Sequence, residues 1–509
     1  MAQTFFCNDR ETTVKTEKGM LKGYKLGNVY AFKGIPYATA KRFRAPEEVE
    51  AWDGVKEALN YGYTCPLLTE DSFLGDLLSP HRFWPQGEDC LNLNIWTKSI
   101  EKGAKKPVAV WFHGGGFFAG SSIEQLAYDG TALAEKEDIV LVSVNHRLNL
   151  LGFMDLRSFG EERKDSCNAG VLDMIAALKW VHENIEAFGG DSENVTIFGQ
   201  SGGGGKVITL MQSPQAEGLF QKAMIMSGVL GNMFKDYVDG RMVVLKTLEL
   251  LGLKEQEVDK LDIIPYKELA EAYVKAYHEV SPGPGFPYFA PQKSDVYLGD
   301  PMKNGFCEFA KRIPVVIGST FSEFNGRTLG LEKKSDEEVR EYLVEKFGED
   351  GNKAADLFQT TYPDLPLHYI VNVDVDGFRC FDKEWIRRRT EEGCAPTYTY
   401  MFNLCHSIND GQMAWHCADI PFFFHNVEVS PVSNMGEVSE KLEKQMSGAF
   451  ANFVRTGKPY EDTLPEWPAC EVGKENTMIF DKVSRVRVNH DDEMIETFRP
   501  MHIAPGLFG

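Results

Sequence analysis

Apolar and polar positions follow a layered rhythm along this chain. Through residues 1–165, short apolar runs are separated by turn residues. Leu91–Trp96, Pro107–Phe112 and Asp138–Val144 are rich in valine, isoleucine and aromatic residues, which predicts strands. Over Asn168–Phe188 the apolar positions Val171, Ile175, Leu178 and Val181 recur at three- and four-residue spacing, one face of a helix that Gly189-Gly190-Asp191 ends. Asn194–Phe198 and Lys222–Met226 read as the next strands, with a Gly-rich turn and a short helix between them. Strands return at Arg312–Gly318 and Pro396–Leu404, and a helix over about Ser439–Arg455 stops at Gly457 and Pro459. Strand, helix, strand in this order predicts an α/β fold with a large, mostly parallel central sheet flanked by helices.

Two charged stretches, 235–280 and 335–360, read as helices expected to cover the ends of that sheet. Ser281–Pro291 holds four prolines and two glycines, but Phe286, Tyr288 and Phe289 mark it as a packed loop rather than a linker. No repeat, low-complexity run or break in composition divides the chain. Residues 1–509 are therefore expected to form one elaborated domain, although ~150 residues per domain would allow three.

Composition narrows the function. Lys plus Arg is 54 against 75 for Asp plus Glu, a formal charge of −21. Nucleic-acid affinity and attraction to anionic membranes both depend on basic residues, so neither partner is expected. No apolar run approaches the length of a membrane span. The N-terminus has no basic stretch followed by an apolar segment, so no secretory signal is expected. The ten cysteines are too dilute for a disulfide scaffold and contain no Cys-x-x-Cys pair, which favours buried thiols in a reducing cytoplasm.

The chemistry begins at Gly199-Gln200-Ser201-Gly202-Gly203, which fits the G-x-S-x-G elbow. A serine on a sharp strand-to-helix turn lifts its hydroxyl clear of the backbone, and small neighbours avoid collision. The helix that follows aims its N–H groups at the oxygen that becomes charged. His113-Gly114-Gly115-Gly116-Phe117 follows the strand Pro107–Phe112, where a second set of N–H donors to that oxygen is placed. A serine hydroxyl also needs a base and an orienting acid, in the chain order Ser, Asp or Glu, His. Glu323 is the first acidic residue beyond the strand Arg312–Gly318, at the end where open sheets place functional groups. Of the seven histidines after Ser201, His406 and His416 both lie just beyond the strand Pro396–Leu404, and the pattern does not separate them. Phe117, Phe118, Phe286 and Phe289 are equally consistent with an apolar pocket and with core.

These motifs resemble the type-B carboxylesterases, a family that includes bacterial para-nitrobenzyl-esterase-like enzymes, animal carboxylesterases and cholinesterases. The likeness runs over nearly the whole chain: Phe32–Ala38, Glu88–Trp96, His113–Gly120, Asn168–Gly203, Ala451-Asn452-Phe453 and Trp467-Pro468 are similar to ordered family blocks. The resemblance implies an α/β-hydrolase fold and a serine carboxylesterase acting through an acyl-enzyme. It implies Ser201 as nucleophile, Glu323 as acid, and Gly115, Gly116 and Gly202 as oxyanion donors. His416-Cys417-Ala418-Asp419 resembles the catalytic-histidine block, which selects His416 over His406. A small-molecule ester substrate, no metal or cofactor, and a monomer or weak homo-oligomer are expected. Other readings are a non-catalytic cholinesterase-like binding protein or another acyl hydrolase (lipase, thioesterase, amidase). The chain departs from the family pattern in three places: Gln200 stands where Glu is usual, Gly202 where Ala is frequent, and Asp419 where Glu is usual. Cys65 and Cys90 match a disulfide pair of secreted members but are expected here as thiols, and Arg42 and Glu88 match a structural ion pair.

Overall fold

The computed structural model describes residues 4–68, 78–229, 240–281, 287, 289–326 and 329–503. A twelve-stranded sheet runs through it. In chain order its strands are β1 Phe5–Phe6, β2 Tyr24–Leu26, β3 Val29–Pro36, β4 Asn92–Thr97, β5 Lys106–Phe112 and β6 Val140–Val144. They continue with β7 Gly190–Gln200, β8 Lys222–Met226, β9 Val315–Thr320, β10 Thr397–Phe402, β11 Asn476–Phe480 and β12 Arg485–Val488. Their spatial order is β1-β2-β3-β4-β6-β5-β7-β8-β9-β10-β11-β12. The seven strands from β6 to β11 pair in parallel. Antiparallel strands extend both edges.

The strand cores are continuous apolar runs because both faces are covered. Side chains of successive strand residues point to opposite faces, and β5 divides accordingly. Val108, Val110 and Phe112 join Val171, Ile175 and Leu178 of helix α1 (Ala169–Asn184) in one cluster. Ala109 and Trp111 join Phe450 and Phe453 of helix α4 (Glu437–Thr456) in a second cluster on the other face. Between these helices in sequence lie α2 (Gly202–Met211) and α3 (Phe378–Glu391).

Several predicted elements shift by a few residues. The strand before the elbow starts at Gly190 and reaches Gln200, so the sheet delivers the chain directly to Ser201. The predicted helix 168–188 tightens into a 3₁₀ turn at Ile185–Phe188 before Gly189 reverses the chain at φ 75°. The stretch 335–360 is two helices, Asp336–Phe347 and Glu349–Thr361. Their apolar faces pack with Phe321, Met401 and Ile479 in a third cluster. Residues 235–239 of the other charged stretch lie outside the described residues, and helices Gly240–Leu250 and Tyr266–Val280 form the rest. Cys65 and Cys90 are both free and buried. Arg42 and Glu88 form a two-pronged ion pair. No helix among the described residues is long and apolar enough to cross a membrane.

Candidate active site

The candidate site sits beyond the carboxyl ends of β5, β7, β8 and β9, where a parallel sheet leaves a crevice. Ser201 follows β7 with φ 58° and ψ −124°, a strained backbone for a residue with a side chain. Two backbone bonds hold it: its N–H donates to Met226 O at 2.8 Å, and its carbonyl accepts from Gly205 N at 3.0 Å. The glycines beside it are there for contact. A Cβ on Gly203 would lie 2.0 Å from Phe112 O, and one on Gly202 would lie 2.2 Å from Gly116 N. The start of α2 is therefore pressed backbone to backbone against the loop after β5. This explains Gly202 in place of the frequent alanine: here the loop occupies the space an alanine methyl needs.

Gly115 and Gly116 lie on that loop with φ 80° and 60°, values that favour glycine. The structure brings Gly115, Gly116 and Gly202 to one junction. A Cβ on Gly114 would lie 3.6 Å from Ser201 Cβ, so the loop also borders the candidate nucleophile.

Glu323 and His416 come from separate loops beyond β9 and β10. Glu323 Oε2 accepts from His416 Nδ1. Its other oxygen accepts from Ser227 Oγ and from Thr320 N, each at 2.7 Å. His416 N donates to Glu323 O at 2.9 Å, so backbone as well as side chain joins the two loops. With the Nδ1 proton directed at Glu323, Nε2 carries the lone pair that a general base uses. In this structure Nε2 lies 3.2 Å from Gln200 Nε2, and no hydrogen bond joins the ring to Ser201 among the described residues. Cys417, at φ 79°, donates its thiol hydrogen to Gln200 Oε1 at 3.1 Å, which turns the Gln200 amide nitrogen toward the imidazole. Phe324 and Phe378 cover the ring, with centroids 4.2 and 5.1 Å from it.

The other sequence candidates separate cleanly. His406 is buried against Trp415, and burial pushes its pKa down to about 4. Phe117 and Phe289 are core residues, while Phe118 is 40% exposed and folds over Gly116. Phe286 lies outside the described residues. Asp419 accepts from Tyr400 Oη at 2.7 Å, and burial pushes its carboxyl up to about 6. Ser227, Thr320, Phe324 and Phe378 escaped the sequence reading, because isolated serines, threonines and phenylalanines carry no motif. Phe324 had one usable signal, its place next to the candidate acid. No group of three or more His, Cys, Asp or Glu side chains placed to hold a metal occurs among the described residues.

The sequence model of the Carboxylesterase family matches residues 10–497. The chain belongs to that family. The chain is 32% identical to the para-nitrobenzyl esterase of Bacillus subtilis (strain 168) over 494 residues, covering 94% of this chain and 96% of that protein. A solved esterase from anaerobic Clostridium hathewayi, described as able to hydrolyze aliphatic aromatic polyesters, superposes with a TM-score of 0.94 at 47% identity. That match covers 98% of this chain and 100% of the other. A thermophilic para-nitrobenzyl esterase structure superposes at 0.77 with 30% identity, covering 96% and 99%. This carboxylesterase thus has the α/β-hydrolase fold and is a carboxylic-ester hydrolase.

Proposed function

We propose that this carboxylesterase works by acyl transfer through Ser201, His416 and Glu323. The observation that carries the reading is the Glu323–His416 contact, which joins two loops beside the strained Ser201. His416 Nε2 turns from Gln200 to Ser201 Oγ, a contact of the kind that tightens when substrate binds. The base takes the hydroxyl proton as Oγ attacks the ester carbonyl, forming the C–O bond of a tetrahedral adduct. Its oxyanion accepts from the N–H groups of Gly115, Gly116 and Gly202. Glu323 stabilises the imidazolium without taking its proton. The imidazolium then protonates the leaving alkoxide as the ester C–O bond breaks, which frees the alcohol. Water, deprotonated by the same nitrogen, releases the acid and restores Ser201.

The substrates are small-molecule esters with a planar aromatic part. Phe118 over Gly116 is 40% exposed, so it offers a ring face beside a group that acts on the scissile carbonyl. The para-nitrobenzyl and aromatic-polyester chemistry of the two relatives supports the same class. The unbroken sheet supports one domain over residues 1–509. Ten free cysteines agree with a cytoplasmic enzyme, and we take it as a monomer or weak homo-oligomer without nucleic-acid partners.

The test is Ser201→Ala with a serine-directed organophosphorus probe and para-nitrobenzyl and alkyl esters of one acid. The parent takes one phosphoryl group, located on Ser201 by mass spectrometry, and prefers the aromatic ester. The folded variant takes none and loses at least ~10⁴-fold in kcat. A folded variant that keeps parental turnover overturns the mechanism.

A further inference from the structure

The oxyanion donors assigned above belong to three peptide units, and each unit is held by its carbonyl. No cis peptide bond occurs among the described residues, so in each of these units the C=O and N–H point in opposite directions and fixing one aims the other. The Ser201–Gly202 unit is held by Gly205 N on Ser201 O at 3.0 Å. The Gly115–Gly116 unit is held by Ala119 N on Gly115 O at 2.9 Å. Both anchors are backbone. The Gly114–Gly115 unit differs: Gly114 O accepts from two side chains, His113 Nδ1 at 2.9 Å and Lys206 Nζ at 3.4 Å. Lys206 Nζ also donates to His113 O at 2.8 Å, which pins the preceding unit of the same loop.

Lys206 is an unusual residue for this place. It lies on α2, the helix that begins with Gly202, and it is fully buried. It makes no salt bridge with a carboxylate among the described residues, and its bonds go to the two loop carbonyls. The groups acting on it through space are Glu124 and Cys65, and the buried rings of His113 and His146, stacked 5.4 Å apart, lie close by. Burial pushes its ammonium down to about 7 and, with Lys206 alongside, keeps both histidines neutral. A buried cation whose opposing charge, Glu124, acts only through space is costly to a fold, and an apolar side chain would fill the same space at less cost. Its ammonium lies against the carbonyls of the loop that carries Gly115 and Gly116.

We propose that Lys206 is the positioning residue of the oxyanion hole, tying the helix that carries Gly202 to the loop that carries Gly115 and Gly116. It holds the Gly114 carbonyl so that the Gly115 N–H faces Ser201, and its charge reinforces that peptide dipole. This role rests on the acyl-transfer reading, because only a developing oxyanion needs the three N–H groups to converge.

The test compares the parent with Lys206→Met, which keeps length but cannot donate, and Lys206→Gln, which donates without charge. Each is assayed with an aromatic ester and with two inhibitors sharing one aryl group. A trifluoromethyl ketone adds Ser201 and forms the oxyanion, whereas the matching methyl ketone binds as an intact ketone. Removing an oxyanion donor typically costs ~10²–10³ in rate, so misaiming one in Lys206→Met is expected to lower kcat by about 10–100-fold with KM within about threefold. Affinity for the trifluoromethyl ketone falls by the same factor, affinity for the methyl ketone holds, and Lys206→Gln lies between parent and Lys206→Met. A merely structural lysine would lower thermal stability and weaken both inhibitors together, which overturns the proposal. So does a folded Lys206→Met with parental kcat and trifluoromethyl ketone affinity. If Lys206→Met does not fold, Lys206→Gln is read by the same two inhibitors. A parent that fails to react at Ser201 would instead sink the acyl-transfer reading itself.

Discussion

Two buried regions of this esterase treat charge in opposite ways. Near the β11–β12 edge, Arg379 donates to Asp491 at 2.7 and 2.9 Å and to Glu475 at 2.5 Å, and Lys383 donates to both carboxylates. Burial opposes ionisation there, yet Arg379 outweighs it and holds Asp491 well below the usual carboxylate range. Below the candidate active site burial outweighs the neighbouring groups. Burial pushes Lys206 down to about 7, Asp374 up to about 8 with help from the Glu323 charge, and Asp382 well above the usual range. The first region meets each desolvated charge with a partner, so its ions contribute to stability. The second holds its carboxyls and its ammonium toward their neutral forms, because burial there is not offset by a direct ion pair.

The largest effect that could break this contrast is at Glu323. Glu323→Gln removes the charge proposed to steady the imidazolium but keeps an oxygen for Ser227 and Thr320 N. Turnover is expected to fall by about 10⁴-fold while the melting temperature holds, as read by steady-state kinetics beside a thermal scan. Turnover within tenfold of the parent would erase the distinction. The mirror experiment is Asp491→Asn, which leaves Arg379 short of a counter-charge. A loss of about 3–5 kcal/mol in urea-measured stability is expected, with kcat per folded molecule unchanged. A smaller effect sharpens the contrast through pH. Asp374 has a raised folded pKa, so the native state binds more protons than the unfolded chain between about 4 and about 8. Stability from this group is therefore full below about pH 4 and lost as pH rises through about 8. Asp374→Asn cannot ionise, so its stability relative to the parent should climb across that window and level off above it. A flat difference from pH 4 to 9 would show that Asp374 does not titrate there.

Much of this was legible along the chain because it is local. The strands β5, β7 and β8 announce themselves by composition, and the elbow by glycines flanking one serine. Glu323 was found by position alone, as the first acid past a strand end. His406 and His416 could not be separated by pattern, since both follow β10. Their difference is one of distance to Glu323. Phe117, Phe118 and Phe289 were likewise alike in sequence, yet two are core and one is exposed over Gly116. Lys206 gave no signal, because its partners are carbonyl oxygens of a loop far away in the chain, and carbonyls belong to every residue.

By itself, then, the sequence determined the parallel sheet, the turn that carries Ser201, the candidate order of Ser201, Glu323 and a later histidine, and the net acidic charge. Periodicity, glycine placement and net charge are properties of neighbouring residues or of simple sums, and they need no third dimension. Only the tertiary structure decided that Glu323 meets His416, that Gly202 gives room to Gly116, and that the buried Lys206 ammonium bonds the carbonyls of His113 and Gly114. Those are contacts between segments that only the folded sheet brings together. Their energies depend on burial and on distances of a few ångströms, and neither is written at any single position of the chain.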